Sequence, residues 1–248
     1  MFKFPHYCKK TLGLNAAVFL CLSFTQPLYA AKLPNFSAVF DVEAIGLNLG
    51  QAKHSMQCKG SICTLKSDAK PSGLAAVFFK DSSHETITLH QTENTLKWQS
   101  YHKLGISYKN DIAKEKNTNL KLVTEKNKVV YPEKNREWPM QPQLFDVMSI
   151  AYAIQHAQLN NLPMNNFTLQ DNNFQDKLTL KSTNNRDYLG FEFADNDLDA
   201  VKYRFTSKHA EIELWLLPKY NYFPGKIRVV NKDEKTITLS LAEPPKIL

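Results

Sequence analysis

A chain of 248 residues with 43% hydrophobic content can bury a full core, in one large domain or two small ones. Its 31 basic and 24 acidic residues give a net charge of +7, and three of those lysines lie in the first 30 residues, which hold no acid. The remainder carries about +4, dispersed along the chain, which is too weak a field to argue for nucleic acid.

The first 30 residues predict a secretory signal peptide. Lys3, Lys9 and Lys10 form a basic start, Leu12 to Phe24 an apolar run, and Pro27-Leu28-Tyr29-Ala30 ends on a small residue at a cleavage position. The apolar run is too short for a bilayer-spanning anchor, and Leu20 before Cys21 does not fit a lipoprotein signal. The expectation is an exported, periplasmic protein with residues 31–248 as a single β domain and no transmembrane segment after cleavage. Cys8 and Cys21 depart with the signal, leaving Cys58 and Cys63 around Lys59-Gly60-Ser61-Ile62. A lone close pair in an exported chain predicts a disulfide. A redox-active pair would want Cys-x-x-Cys at a helix start.

In chain order, Phe36, Ala38, Phe40 and Val42 alternate, with Gly46 and Gly50 bracketing a hairpin turn. Gln51 to Cys58 returns, Cys63 to Lys66 continues, and Pro71 to Gly73 breaks the pattern. Leu74 to Phe79 is a short apolar run. Glu85, Ile87 and Leu89 alternate with Thr86, Thr88 and His90, and Leu96 to Tyr108 is a long aromatic-rich strand or strand pair. Leu120, Leu122 and Val130 mark strands in a lysine-rich part, from Lys103 to Arg136, whose lysines keep a sheet edge from pairing with another chain or meet an anionic lipid or glycan. Between Gln143 and Gln158, Leu144, Val147, Met148, Ala151 and Ile154 recur at spacings of three and four, predicting one amphipathic helix. Asp146 sits near its start, and Asn160-Asn161 with Pro163 end it. Short strands follow at 167–169, 178–180, 188–193 and 201–205, with turns at Asp171-Asn172-Asn173 and Asn184-Asn185. Glu211 to Leu217, Ile227 to Val229 and Thr236 to Leu241 alternate at period two and predict an antiparallel meander. The fold expected is all-β with one main helix: a single curved antiparallel sheet, or an open β-barrel, closed by that amphipathic helix.

Candidate chemistry is sparse. Asp195, Asp197 and Asp199 lack the glycine and terminal acid of a calcium loop, since Ala200 and Thr206 stand there. His84 and His90 would lie on one strand face roughly 20 Å apart, too far to share a metal. Neither a catalytic set, a metal site nor a cofactor motif is expected. The aromatic residues Trp98, Tyr101, Trp215, Tyr220, Tyr222 and Phe223 could line a groove for an acyl chain or sugar, or form the core of a curved sheet. Trp215 falls opposite Ile212, Leu214 and Leu216, so the connector after Pro218, the helix or a ligand has to cover it.

Leu214-Trp215-Leu216-Leu217-Pro218, Tyr222-Phe223-Pro224 and Ile227-Arg228 resemble the C-terminal signature of the bacterial domain-of-unknown-function family 3108. The opening strand with Gly46 and Gly50, Phe145-Asp146-x-x-Ser149 and Leu198-Asp199-Ala200-Val201-Lys202 agree with it. The resemblance implies an exported envelope protein and supplies no catalytic residues. Gly225 stands where that family carries a β-branched residue, which predicts a local bulge. The function expected is a non-catalytic envelope protein binding or escorting a lipid or other amphiphile. The alternative is a structural or assembly module holding an envelope protein or polysaccharide. A continuous cavity between helix and sheet separates the two.

Overall fold

The computed structural model describes residues 31–248 apart from positions 45, 74–75, 77–79 and 110–111. The expected signal peptide and most of the apolar run at 74–79 lie outside the described residues. Eight strands follow one another as neighbours: β1 (Phe36–Ala44), β2 (Leu47–Lys59), β3 (Ile62–Pro71), β4 (Ser82–Gln91), β5 (Leu96–Lys109), β6 (Ile112–Val123), β7 (Lys128–Tyr131) and β8 (Arg136–Pro139). An excursion then forms β9 (Leu144–Asp146), helix α1 (Ile150–Leu159), β10 (Thr168–Gln170) and β11 (Gln175–Lys177). The chain returns through β12 (Thr179–Leu189), β13 (Leu198–Thr206), β14 (Ala210–Leu217), β15 (Phe223–Asn231) and β16 (Thr236–Leu241), and β17 (Lys246–Ile247) pairs with β1. Strand β16 docks antiparallel on β1, so the two halves merge into one 14-stranded antiparallel sheet whose path ends are β12 and β8. The sheet is curved and not closed.

The excursion fills the concave side. Strands β9 and β10 pair in parallel and β11 adds antiparallel, a three-stranded sheet of its own. It is tied to both halves of the large sheet: Gln175 donates to the Pro139 carbonyl of β8 at 3.0 Å, and Asp176 pairs with His209 in the β13–β14 turn at 2.8 Å. Strands β7 and β8 are four residues each, and Lys128 of β7 is tied to Glu137 of β8, so the lysine-rich part does form one edge of the sheet.

Four sequence expectations are corrected. The helix starts at Ile150, not Gln143, because Leu144–Asp146 is drawn into a parallel pair with Thr168–Gln170, a partner that local periodicity cannot show. It is also buried on every side from Ile150 to Ala157, with Gln155 and His156 included, so it acts as a plug rather than a surface cover. No separate strand spans 188–193: β12 runs on to Leu189, Asn184-Asn185 lies within it as a register irregularity, and Phe191 and Phe193 stack in the turn that follows. An exposed strand at the end of a sheet can carry that polar, irregular sequence without disturbing a core. Gly50 stands inside β2 rather than in the hairpin turn. It has φ +146°, and a Cβ there would meet the Lys70 carbonyl oxygen at 2.3 Å.

The bulge expected at Gly225 is present. Trp215 pairs with Lys226 while Leu216 pairs with Pro224, leaving Gly225 as the extra residue. A Cβ there would stand 2.7 Å from Cγ of Leu217. The buried apolar residues form one contiguous cluster.

Candidate functional site

The concave face of β1–β6 is a grid in which register lines up residues from successive strands. One row runs Phe36, Met56, Leu65, Ile87, Tyr101, Leu120. These are large side chains, and α1 packs on them. Tyr152 of the helix stacks on Phe36 at 5.0 Å and meets Phe223 edge-on at 5.9 Å. The next row is Ala38, His54, Ser67, Glu85, Lys103, Thr118, and the one beyond is Phe40, Ala52, Ala69, Ser83, Gly105, Lys116. From Ala52 to Gly105 that last row has almost no side-chain volume, and nothing from α1 reaches it. A cavity of about 530 Å³ results, within the usual range for small-molecule sites.

Its two walls differ chemically. Strands β15, β16, β1 and β2 present Ile227, Val229, Leu239, Val42 and Ala52. Strands β4, β5 and β6 present Ser83, Glu85, Tyr101, Lys103, Lys116 and Thr118. The β9–α1 turn and the β10–β11 turn close the third side with Asp146, Met148, Gln170 and Asp171.

On the polar wall Glu85 is 8% exposed and takes three donors. Lys103 and Ser83 reach Oε1 at 2.9 and 3.0 Å, and the Tyr101 hydroxyl reaches Oε2 at 3.0 Å. Burial, reinforced by the charges of Glu85 and Asp146, pushes the Tyr101 hydroxyl far above its ordinary range, so it stays protonated and donating. Asp146 is 2% exposed. Its Oδ1 accepts the amides of Met148 and Ser149 at 2.8 and 3.0 Å, and its Oδ2 accepts Ser149 Oγ at 2.7 Å and Trp98 Nε1 at 2.8 Å. Burial outweighs these bonds and raises its carboxyl above the usual range. Asp146 thus organises the turn into α1 and anchors it to β5.

Of the aromatic candidates, Tyr101 is on the cavity wall. Trp98 stands behind it, its indole spent on Asp146. Phe223 is in the packed core, 5.0 Å from Phe36 and 6.4 Å from Phe40. Tyr220 and Tyr222 lie half-buried in the β14–β15 connector, away from the cavity. Trp215 is on the convex face and only 8% exposed. Neither the connector, the helix nor a ligand covers it: Lys202 of β13 and Lys226 of β15, its cross-strand neighbours, lie over the ring at 4.3 and 5.4 Å, and Asp187 accepts its Nε1 at 2.9 Å. It is their ammonium groups that lie over the ring, as cation–π contacts, and Lys202 also pairs with Glu213 at 2.7 Å. Cys58 and Cys63 are disulfide-bonded, as cross-strand partners at the hairpin end remote from the cavity.

Sequence reasoning missed Glu85, Lys103, Lys116 and Asp146 as cavity residues. Glu85 carried a signal, an acid in period-two phase with the inward Ile87 and Leu89. Among the described residues no group of three or more His, Cys, Asp or Glu could hold a metal ion, and no helix is long and apolar enough to cross a membrane. No family model matches the chain, and no curated protein matches it. A solved structure does: the β-barrel-like protein of domain of unknown function DUF1849 from Brucella abortus, with a TM-score of 0.53 at 11% identity, covering 88% of this chain and 99% of that one. At that identity the likeness shows the fold alone: a β-barrel-like architecture shared with a domain of unknown function.

Proposed function

We propose that this chain is an exported, non-catalytic cell-envelope protein of the periplasm that binds or escorts an amphiphile in the concave cavity. The observation that carries the reading is the cavity's division into an apolar wall and a polar wall. A solid core would have favoured an assembly module, and about 530 Å³ of empty space does not serve one. The buried carboxylates fit a binding role, because each is already held by several donors and neither is set out as a free acid or base. The sequence resemblance to family 3108 accords with export to the envelope, and so does the Cys58–Cys63 disulfide.

Native mass spectrometry of the protein purified from its own envelope tests this. The expected spectrum shows the chain shortened by its leader, lighter by two hydrogens, and carrying a co-purified amphiphile that organic solvent removes. A ligand-free species that takes up no added amphiphile contradicts the reading.

A further inference from the structure

The charges of the polar wall indicate which kind of head group the cavity takes. Glu85 is matched: Lys103, Ser83 and Tyr101 occupy its two oxygens. Asp146 is matched by two amides, a hydroxyl and an indole. Asp171 lines the cavity from the closing turn without an ion pair to any described residue, and its Oδ1 accepts the Asn173 amide at 2.8 Å. Lys116 differs in sign. It lines the cavity and makes no ion pair with any described residue. Its cross-strand partner is Gly105, which has no side chain to occupy the space beside it. The neighbouring pair in the ladder is Lys103 with Thr118, so two ammonium groups and a hydroxyl lie together on the inner face of β5 and β6. Lys103 spends one N–H on Glu85, leaving two others.

We infer that this corner receives the anionic head group of the amphiphile, a carboxylate or phosphate, with Lys116 as its charge partner and Lys103 and Thr118 as further donors. The acyl tail lies along Val42, Val229 and Leu239 on the opposite wall. A cationic head would meet Lys116 with like charge, and a neutral one would leave it unmatched. The inference rests on the amphiphile reading above.

The test compares hexadecanoate, hexadecanol and hexadecylammonium, which share a tail and differ in head charge, by isothermal titration on the wild type, Lys116→Gln and Lys116→Glu. Lys116 is exposed enough that neither change should disturb folding. Hexadecanoate is expected to bind about fivefold or more tighter than hexadecanol, as befits a partly exposed ion pair. Lys116→Gln should bring that ratio toward one, and Lys116→Glu should turn the preference to the ammonium. Inorganic phosphate and acetate at millimolar concentration should displace none of them. Equal binding of all three by the wild type, or a ratio unmoved by Lys116→Gln, overturns the head-group assignment and leaves the amphiphile reading standing. Displacement by phosphate or acetate alone marks a small-anion site and overturns it too. Binding of none of the three overturns both.

Discussion

The two ends of one concave face were built by the same strands and came out opposite. At the disulfide end, the row from Phe36 to Leu120 carries large side chains, and α1 presses Tyr152 into it. At the other end, two residues further along each strand per row, the side chains shrink to Ala52, Ala69, Ser83 and Gly105, and no element fills the gap. Interiors are normally packed to crystal density, and an unfilled void forfeits dispersion contacts along its whole lining. A fold that packs one end so fully and leaves the other empty has its stability and its binding space in different places. Changes at the packed end should be read in stability, and changes at the hollow end in ligand response.

The largest effect belongs to the packed end. Tyr152→Ala removes a fully buried ring that stacks on Phe36 and meets Phe223 edge-on, and it leaves His54 Nδ1 without its 2.8 Å partner. A loss of about 3–5 kcal/mol in chemical denaturation is expected. A loss under about 1 kcal/mol would mean that α1 does not plug the sheet.

Trp215→Ala sharpens the contrast between concave and convex faces. The ring is buried under two lysine ammonium groups and bonded to Asp187, so about 3 kcal/mol should be lost. Stabilisation of the variant by an added amphiphile should equal that of the wild type. If the ligand response vanishes with the ring, the site is on the wrong face.

His54 gives the packed end a pH dependence. It is fully buried, in contact with Phe40 and Tyr152, and burial pulls its imidazole down from 6.5 to about 4 in spite of the Asp68 charge. The folded pKa is below the unfolded one, so the contribution is complete above about pH 6.5 and is lost as pH falls from there toward 4. The size is about 3 kcal/mol. Asp146, whose carboxyl is raised, acts in the opposite sense, and buried His156, whose imidazole is lowered, in the same sense. The test is therefore the difference between wild type and His54→Gln, which should shrink steadily across that window. A constant difference from pH 7 to 4 would place the acid sensitivity elsewhere.

Much of this architecture was legible in residues read locally. Ile212, Leu214 and Leu216 announce a half-buried strand, whereas the bulge at Gly225 was expected from the family resemblance. What was not legible depends on pairing between distant segments. Leu144 and Val147 fit a helical stripe until Thr168–Gln170 claims the first of them as a strand. Trp215 and Phe223 look alike as aromatic candidates, yet Trp215 faces outward onto lysines and Phe223 turns inward beneath α1. The cavity was hidden for a further reason. Ala52, Ala69, Ser83 and Gly105 are unremarkable one by one, and only the register of four strands sets them in a single row. Empty space has no residue of its own to be read.

Filling that space is the most direct test of the account. Ala52→Leu directs three more carbons into the cavity from its buried β2 position. In a packed core such overfilling costs about 1–3 kcal/mol. Here the ligand-free protein should keep its stability to within about 1 kcal/mol, and the rise in melting temperature produced by hexadecanoate in the wild type should disappear. A variant that loses 2 kcal/mol or more, or one that responds to hexadecanoate as the wild type does, would contradict the claim that the hollow end of this sheet is its binding site.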